Sequence, residues 1–342
     1  MHTQVLKLDD AAAANGAADD AIKLAADHIR YGRLVAFPTE TVYGLGANAL
    51  DADAAAKIFE AKQRALNDPL IVHVADSDVT HLADVANLST FVHLTEAFWP
   101  GPLTLVLPKR ERIPAIVTAG GDKVAIRMPN HPVALALIQR AGVPIAAPSA
   151  NRFGHVSPTT AQHVLDDLDG RIDLILDGGP TTIGVESTVL DVTVNPPMIL
   201  RPGGITREQI EQVLGIHLAV RRPPSVVSET ASSPGLLEKH YAPVAQLLIV
   251  KDVDAIGANH AALTAMRKKV GLLLLDSQRE ACQTLAGPHF VLGNTVNDVA
   301  RNLYAGLRAL DSAQADAILI TQILDTGIGA AIADRLRRAS SR

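Results

Sequence analysis

Short apolar runs of strand length alternate with longer amphipathic stretches over the first part of the chain. Runs rich in Val, Ile and Leu predict strands, and apolar residues spaced three or four apart predict helices. The predicted strands are 34–37, 70–75, 103–108, 123–128, 144–147, 173–177, 187–193 and 197–200; the predicted helices are one that ends near Arg30 and those at 53–61, 78–98, 132–141, 159–168 and 206–214. The last two strands are too close in sequence for a crossover helix, so we expect them to pair antiparallel. The pattern predicts an α/β domain on a twisted mixed sheet.

A change of composition separates this region from the end of the chain. The segment from Arg221 to Pro243 is rich in proline and small polar residues, which is typical of a linker. After it, strand-like runs at 247–250, 271–275, 290–292 and 317–320 alternate with helical stretches. This alternation predicts a smaller open α/β sheet of Rossmann-like type. We divide the chain into a first domain at 1–222, a linker at 223–244 that we expect to act as a lid, and a C-terminal domain at 245–342.

Composition and charge limit the possible functions. The chain has 342 residues, a formal net charge of −5 and only 3% aromatic residues, which argues against a protein whose main task is to hold a nucleic-acid backbone or stack bases. The single cysteine, Cys282, excludes an internal disulfide and a cysteine-based zinc site, and it fits a reducing cytoplasm. No run approaches the roughly 18 apolar residues of a membrane span, and the start of the chain lacks a secretory pattern. We therefore expect a cytoplasmic protein without a membrane partner.

The clearest candidate for a binding loop follows the strand at 34–37. It reads Pro38-Thr39-Glu40-Thr41-Val42-Tyr43-Gly44-Leu45-Gly46. Small hydroxyl groups can donate to a carboxylate or phosphate oxygen, and glycines let backbone N–H groups approach a ligand closely. An ordinary polar turn is the alternative interpretation of this segment alone.

Four cations lie beside apolar strands, namely Lys62, Arg64, Arg127 and Arg201. A nucleoside triphosphate requires several fixed donors from different loops, and Lys62 and Arg64 would share one side of an extended segment. The alternative is a solvated pair at a helix end. Arg127 alternates onto a largely apolar strand face, where a guanidinium requires a carboxylate or phosphate partner. That partner is either a ligand or an internal salt bridge.

These segments and several others stand in the order of a known family. The further ones are Asp68-Pro69-Leu70-Ile71-Val72-His73, Val124-Ala125-Ile126-Arg127-Met128-Pro129, Pro148-Ser149-Ala150-Asn151, Ser157-Pro158-Thr159-Thr160, Glu186-Ser187-Thr188, Leu200-Arg201-Pro202-Gly203-Gly204, Ser233-Pro234-Gly235 and Lys239-His240-Tyr241-Ala242-Pro243. Together they resemble the threonylcarbamoyl-adenylate synthase family in its longer, two-domain form. The resemblance covers essentially the whole chain and implies a YrdC-like first domain.

The resemblance also implies roles for individual residues. It implies that L-threonine is held by Thr41, His73, Arg127, Ala147 and Ser187, that ATP is held by Arg64, Asp68, Lys123, Ser149, Ser157, Arg201 and Tyr241, and that Lys62 and Arg64 serve the reacting centre. Mg²⁺ would enter with ATP, without a dedicated metal site in the protein. Taken alone, the sequence favours a satisfied core histidine at position 73, and a helix cap near Thr159 would explain part of 157–160.

Two positions depart from the family pattern. Ala65 replaces a proline and Asp68 replaces an asparagine. The second change adds a negative charge beside the expected triphosphate, which would repel the nucleotide unless a metal ion intervenes.

The activity implied by the resemblance is condensation of L-threonine, bicarbonate or CO₂, and ATP to threonylcarbamoyl-AMP and pyrophosphate. This product would serve the machinery that makes threonylcarbamoyladenosine at position 37 of tRNA. One rival is an RNA-binding module of the same fold without catalysis, so that a weak RNA contact stays open; another is an enzyme that adenylates threonine directly. The chain shows neither a Walker-type phosphate loop nor a Gly-x-Ser-x-Gly elbow.

Overall fold

The computed structural model describes residues 2–8, 17–86, 89–220 and 241–340, which form two compact units. The first unit contains the described residues up to Phe153, the stretch Pro158–Thr182 and the described residues from Glu186 to Val220. The second contains the short stretches Gly154–Ser157 and Ile183–Val185 together with the described residues from Tyr241 onwards. Most of the predicted linker, including Ser233 and Lys239, lies outside the described residues.

The first unit is built on one large mixed sheet. Its strands are β1 (Gln4–Lys7), β2 (Val35–Phe37), β3 (Gly44–Asn48), β4 (Ile71–His73), β5 (Leu103–Pro108), β6 (Lys123–Arg127), β7 (Ile145–Ala146), β8 (Leu174–Asp177), β9 (Thr188–Asp191), β10 (Met198–Arg201) and β11 (Ala219–Val220). The strand order is β1-β8-β2-β3-β7-β4-β6-β5-β9-β10-β11. As expected from the short connection, β9 and β10 pair antiparallel, whereas β4 and β6 pair parallel.

Six helices are described in this unit. They are α1 (Ala17–Arg30), α2 (Ala52–Lys62), α3 (Ser89–Phe98), α4 (Pro132–Ala141), α5 (Ala161–Leu168) and α6 (Arg207–Leu214). Their starts follow side-chain caps where the sequence supplies them: Asp51 accepts from the first turn of α2, and Thr206 forms a capping box with Gln209 in α6. The cap at Asp51 fixes the start of α2, and the left-handed conformation of Gln63 ends the helix directly after Lys62.

The core lies on both faces of this sheet. The strands β5 and β6 are buried along nearly their whole length, because side chains from both of their faces contact helices or loops. On one face, α1 presents Ala21, Ala25 and Ile29 to the alanine- and leucine-rich side of α4. Because alanine side chains are small, these two helices approach each other closely and cover this face of the sheet.

The structure corrects three predictions of secondary structure. The glycine-rich end of the proposed binding loop, from Gly44, forms strand β3, and only 38–43 is a loop. The helix predicted at 78–98 covers only Ser89–Phe98, since residues 80–82 form turns and Ala83 bridges to Lys109. Thr160, not Thr159, caps the next helix.

The second unit is a small parallel sheet with helices, as the Rossmann-like prediction requires. Its strands are β12 (Gln246–Val250), β13 (Val270–Leu274), β14 (His289–Val291) and β15 (Ala317–Thr321), in the order β12-β15-β13-β14. Its helices are α7 (Val253–Ala265), α8 (Arg279–Cys282), α9 (Val296–Ser312) and α10 (Gly329–Ser340). All three strand pairs are parallel.

Candidate active site

Two of the residues predicted to hold threonine, His73 and Arg127, lie at the ends of neighbouring strands. His73 ends β4 and is in register with Arg127, which ends β6. The N–H group of Ala147, directly after β7, donates to the carbonyl of Ile71 in β4 over 2.8 Å. The parallel strands β4 and β6 therefore bring His73 and Arg127 together, whereas Ala147 lies opposite Ile71, at the other end of β4.

Arg127 is buried and tightly held. Its Nη1 donates to Thr41 Oγ1 at 3.0 Å and its Nε donates to the carbonyl of Gly101 at 3.2 Å. Its Nη2 lies 2.7 Å from Glu40 Oε2 in a buried ion pair. The sequence left either a ligand or an internal salt bridge as the partner of this guanidinium. The structure shows the internal salt bridge, with Glu40. Glu40 was not among the predicted site residues, although it precedes Thr41 in the same loop.

The hydroxyl of Thr41 belongs to a chain of hydrogen bonds. Thr39 Oγ1 lies 2.8 Å from Thr41 Oγ1 and 2.7 Å from the carbonyl of Val42. Because a hydroxyl has one proton, Thr39 donates to Val42 and Thr41 donates to Thr39. Thr41 thus presents an acceptor to Arg127 and has no further proton for a ligand unless this chain rearranges.

His73 is kept neutral by its surroundings. Burial, followed by the positive charge of Arg127, lowers the pKa of His73 to about 3. Its ring packs edge-on against Phe37. A neutral imidazole beside a guanidinium can accept a hydrogen bond or shape a pocket, but it adds no positive charge to the site.

Lys62 and Arg64 do not lie in the extended segment that their predicted shared side required. Lys62 is the last residue of α2, and Gln63 after it adopts a left-handed conformation with φ of 55°, so the chain turns sharply there. Both side chains are buried, which excludes the alternative of a solvated pair.

Lys62 organises a neighbouring turn. Its Nζ donates to the carbonyls of Ser149 and Asn151, and its own carbonyl accepts from the N–H group of Phe153. Burial, followed by the charge of Arg64, lowers the pKa of Lys62 well below its ordinary value. The same turn bridges to Gly44 at Ser149, so Lys62 connects α2 to the start of β3.

Arg64 is paired with the residue that departs from the family pattern. Its Nη2 lies 2.8 Å from Asp68 Oδ2, and the guanidinium also donates to the carbonyls of Asp68 and Pro69. Both side chains are almost fully buried. The charge of Asp68 is therefore met by Arg64 within the protein.

Ser187 lies two strands away from Arg127, just before β9. Its Oγ is 2.8 Å from Thr104 Oγ1 in β5, and Arg201 of β10 donates to both its carbonyl and its hydroxyl. Gly203 packs directly on this segment, since a Cβ there would lie 2.3 Å from backbone atoms of residues 186–188. Thr104 was missed by the sequence analysis because a threonine in an apolar strand carries no distinguishing signal.

The remaining residues predicted to hold ATP are divided between the two units. Lys123 at the start of β6 forms a 3.0 Å ion pair with Asp191 of β9, a carboxylate that the sequence analysis also missed. Ser149 lies in the first unit, whereas Ser157 and Tyr241 belong to the second. Tyr241 is buried there, stacked on Tyr304 and covered by the guanidinium of Arg335.

No three His, Cys, Asp or Glu side chains gather into a metal site among the described residues. The carboxylates next to the predicted ATP cations, Asp68 and Asp191, are each in an ion pair. Within the same residues, no helix is long and apolar enough to cross a membrane.

A mixed eleven-stranded sheet with buried cations at its strand ends, followed by a small parallel α/β sheet, is the architecture of a YrdC-like protein with an additional C-terminal domain. A family model described as telomere recombination (Sua5_yciO_yrdC) matches residues 27–203, and the model of the threonylcarbamoyl-AMP synthase C-terminal domain matches 205–341. The chain belongs to the threonylcarbamoyl-AMP synthase family, as its motifs suggested.

Relatives match along nearly the whole length. The threonylcarbamoyl-AMP synthase of Pyrococcus abyssi is 47% identical over 327 residues, which cover 93% of this chain and 94% of that protein. The Bacillus subtilis protein of the same name is 46% identical over 337 residues, covering 94% and 93%. The crystal structure of P. abyssi Sua5 complexed with L-threonine superposes with a TM-score of 0.90 at 42% identity, covering 99% of this chain and 98% of that one. This match confirms the predicted fold.

Proposed function

We propose that the protein is an L-threonylcarbamoyladenylate synthase, a nucleotidyltransferase that condenses L-threonine, bicarbonate or CO₂, and ATP. The products would be threonylcarbamoyl-AMP and pyrophosphate, the first of which would pass to the transferase machinery that modifies adenosine 37 of tRNA. The observation that carries this proposal is the buried cluster of Arg127, Thr41 and His73 at adjoining strand ends, in a chain similar to a protein solved with L-threonine.

The chain's own contribution would be positioning and exclusion of water. Arg127 is a fixed guanidinium that suits a carboxylate, and a neutral His73 beside it leaves the charge balance of the site unchanged. A carbamate or mixed anhydride hydrolyses readily, so a site whose polar side chains are largely buried protects it. No covalent nucleophile is needed for this route.

The negative charge of the triphosphate would be balanced by cations that give up or share their present carboxylate partners. Arg64 and Lys123 are each paired with a carboxylate in the structure, so ATP would have to share or replace these partners. Mg²⁺ that enters bound to the phosphates would supply further positive charge, since it needs only one or two protein ligands and keeps water molecules.

The cytoplasmic location stays a prediction from the single cysteine.

The test is release of pyrophosphate from ATP by the purified full chain. We expect release that requires both L-threonine and bicarbonate, with threonylcarbamoyl-AMP detected as the product. Release that needs threonine but not bicarbonate would instead show direct adenylation of the amino acid. RNA binding without any release of pyrophosphate would favour the RNA-binding module.

A further inference from the structure

The carboxylate of Glu40 is buried opposite Arg127 and is poorly satisfied. Its Oε2 is 2.7 Å from Arg127 Nη2, but the alignment is not that of a hydrogen bond, and neither oxygen has a hydrogen-bond partner among the described residues. The residue is only 5% exposed. A buried carboxylate generally receives two or more donors. Both carboxylate oxygens of Glu40 therefore keep acceptor capacity that the described residues do not fill.

A ligand carboxylate would disturb this pair. Two of the three guanidinium nitrogens of Arg127 already donate to Gly101 and Thr41, and the third, Nη2, faces Glu40. A carboxylate that approaches the Nη1–Nη2 edge in the bidentate manner must therefore share Nη2 with Glu40 or displace it. A displaced Glu40 would be a buried charge without a cation, which is strongly unfavourable.

Among the described residues, Arg127 is the one cation recorded in an ion pair with Glu40. The other titratable group recorded near it is His131, which begins α4 as its N-cap. Burial lowers the pKa of His131, an effect that the charge of Glu40 only partly opposes. His131 is thus neutral at pH 7. The replacement cation has to arrive with the ligand.

An α-amino acid brings that cation. Its ammonium group is two bonds from its carboxylate carbon, so a zwitterion placed with its carboxylate on Arg127 carries its positive charge to the same neighbourhood. We propose that Glu40 binds the α-ammonium group of the amino-acid substrate, and that Glu40 and Arg127 together recognise the zwitterion. The inference rests on the proposed function for the identity of that amino acid. It makes Glu40 the residue that distinguishes an amino acid from an acid without the amine.

The experiment compares two ligands on the full chain by titration calorimetry. L-Threonine carries both charges, whereas (R)-3-hydroxybutyrate has the same hydroxyl and carboxylate without the amine. Wild type should bind threonine roughly 10-fold or more tightly than the analogue, the scale of a charged hydrogen bond. Glu40→Gln should weaken the binding of threonine by a similar factor. The analogue should bind this variant as tightly as wild type or more tightly, because the carboxylate that competes for Arg127 is gone. Glu40→Asp should restore part of the preference.

The control is Glu211→Gln, the same change at an exposed ion pair with Arg207 on α6, which should alter neither affinity. Equal weakening of both ligands by Glu40→Gln would mean that Glu40 only orients Arg127, and it would overturn the assignment. Unchanged threonine binding in that variant would overturn it as well. A wild-type chain that binds no threonine would refute the proposed function itself, and the role of Glu40 with it, whereas the first two outcomes leave the proposed function intact.

Discussion

The charged residues of the site form ion pairs with other residues of the protein. Arg127 pairs with Glu40, Arg64 with Asp68 and Lys123 with Asp191. The sequence predicted that a guanidinium on the apolar strand at 123–127 would need an anion, and this was correct. It could not show that the anion comes from the loop at 38–43, because that contact spans 87 positions and depends on how the strands pair.

His73 should make the stability of the protein depend on pH. The pKa of this side chain is about 3 in the folded protein, against 6.5 for an ordinary histidine. Below pH 6.5 the unfolded chain binds a proton that the folded protein does not, so stability falls as the pH is lowered towards 3. Between pH 6.5 and 4.5 the loss due to His73 should be about 2–3 kcal/mol.

The measurement is urea unfolding of wild type and His73→Gln at pH 7 and pH 4.5. We expect the variant to lose less stability than wild type over this interval. Replacement of the exposed His2 by Gln, in the same unit, is the control and should change nothing. Identical pH dependence in wild type and His73→Gln would mean that His73 is protonated in the folded protein.

Lys62 should act as a structural residue of the turn at 148–151. Lys62→Met removes both donors to the carbonyls of Ser149 and Asn151, and two buried acceptors then lack partners at roughly 1–3 kcal/mol each. The folded pKa of Lys62 is lowered by burial, so the unfolded chain binds the extra proton. The stability difference between wild type and variant should therefore grow as the pH rises towards about 10.4.

Denaturant unfolding at pH 7 and pH 9 would check this, with Lys23→Met on the exposed side of α1 as the control. A Lys62→Met variant as stable as wild type at both pH values would contradict the structural role. Whether Lys62 also serves the reacting centre is a separate question that the pyrophosphate assay answers.

At the scale of elements, the sequence predicted the strands better than the connections. The largely apolar runs predicted at 103–108 and 123–128 form β5 and β6, with bounds within one residue of the prediction. Strand β3 was missed because Gly44 and Gly46 favour a loop by composition, whereas the sheet needs small residues there. A Cβ on Gly46 would lie 2.8 Å from Phe37 and Ile145 side chains. Packing between strands decides such a segment, and local sequence does not record it.

The turn after β10 should be equally intolerant of a side chain. A Cβ at Gly203 would be 2.3 Å from Glu186 O, Ser187 C and Thr188 N, which are backbone atoms and cannot rotate away. Gly203→Ala should destabilise the protein by roughly 1–3 kcal/mol and displace Ser187 from Thr104. Gly257→Ala is the matched control, since that helical glycine has open space around its Cβ position. Equal melting temperatures for the two variants would refute the close approach.

At the scale of the whole molecule, the two units are not continuous stretches of the chain. The stretches Gly154–Ser157 and Ile183–Val185 interrupt the first unit but belong to the second. Within that second unit, Ala242 N donates to the carbonyl of Gly154, and Gly184 fits against the backbone of Arg301 in α9. A division at 1–222 was all that composition could suggest, because tertiary contacts of short loops leave no compositional signal.

The resemblance implies that Ser157 holds ATP, and on that hypothesis a contact within the second unit that fixes the stretch carrying Ser157 should affect nucleotide binding. Arg308 of α9 donates from Nη2 to the carbonyl of Val156, the residue before Ser157. Since a hydrogen bond from a charged donor contributes about 1.5–3 kcal/mol, Arg308→Ala should release this stretch and weaken ATP binding roughly 10-fold or more, while threonine affinity stays unchanged. Arg337→Ala, at an exposed pair with Asp325 in the same unit, is the control. Titration of ATP and of threonine into each full-length variant separates the two effects. Unaltered ATP affinity in Arg308→Ala would show that α9 does not position Ser157 for the nucleotide, and equal losses for both ligands would indicate general damage to the fold.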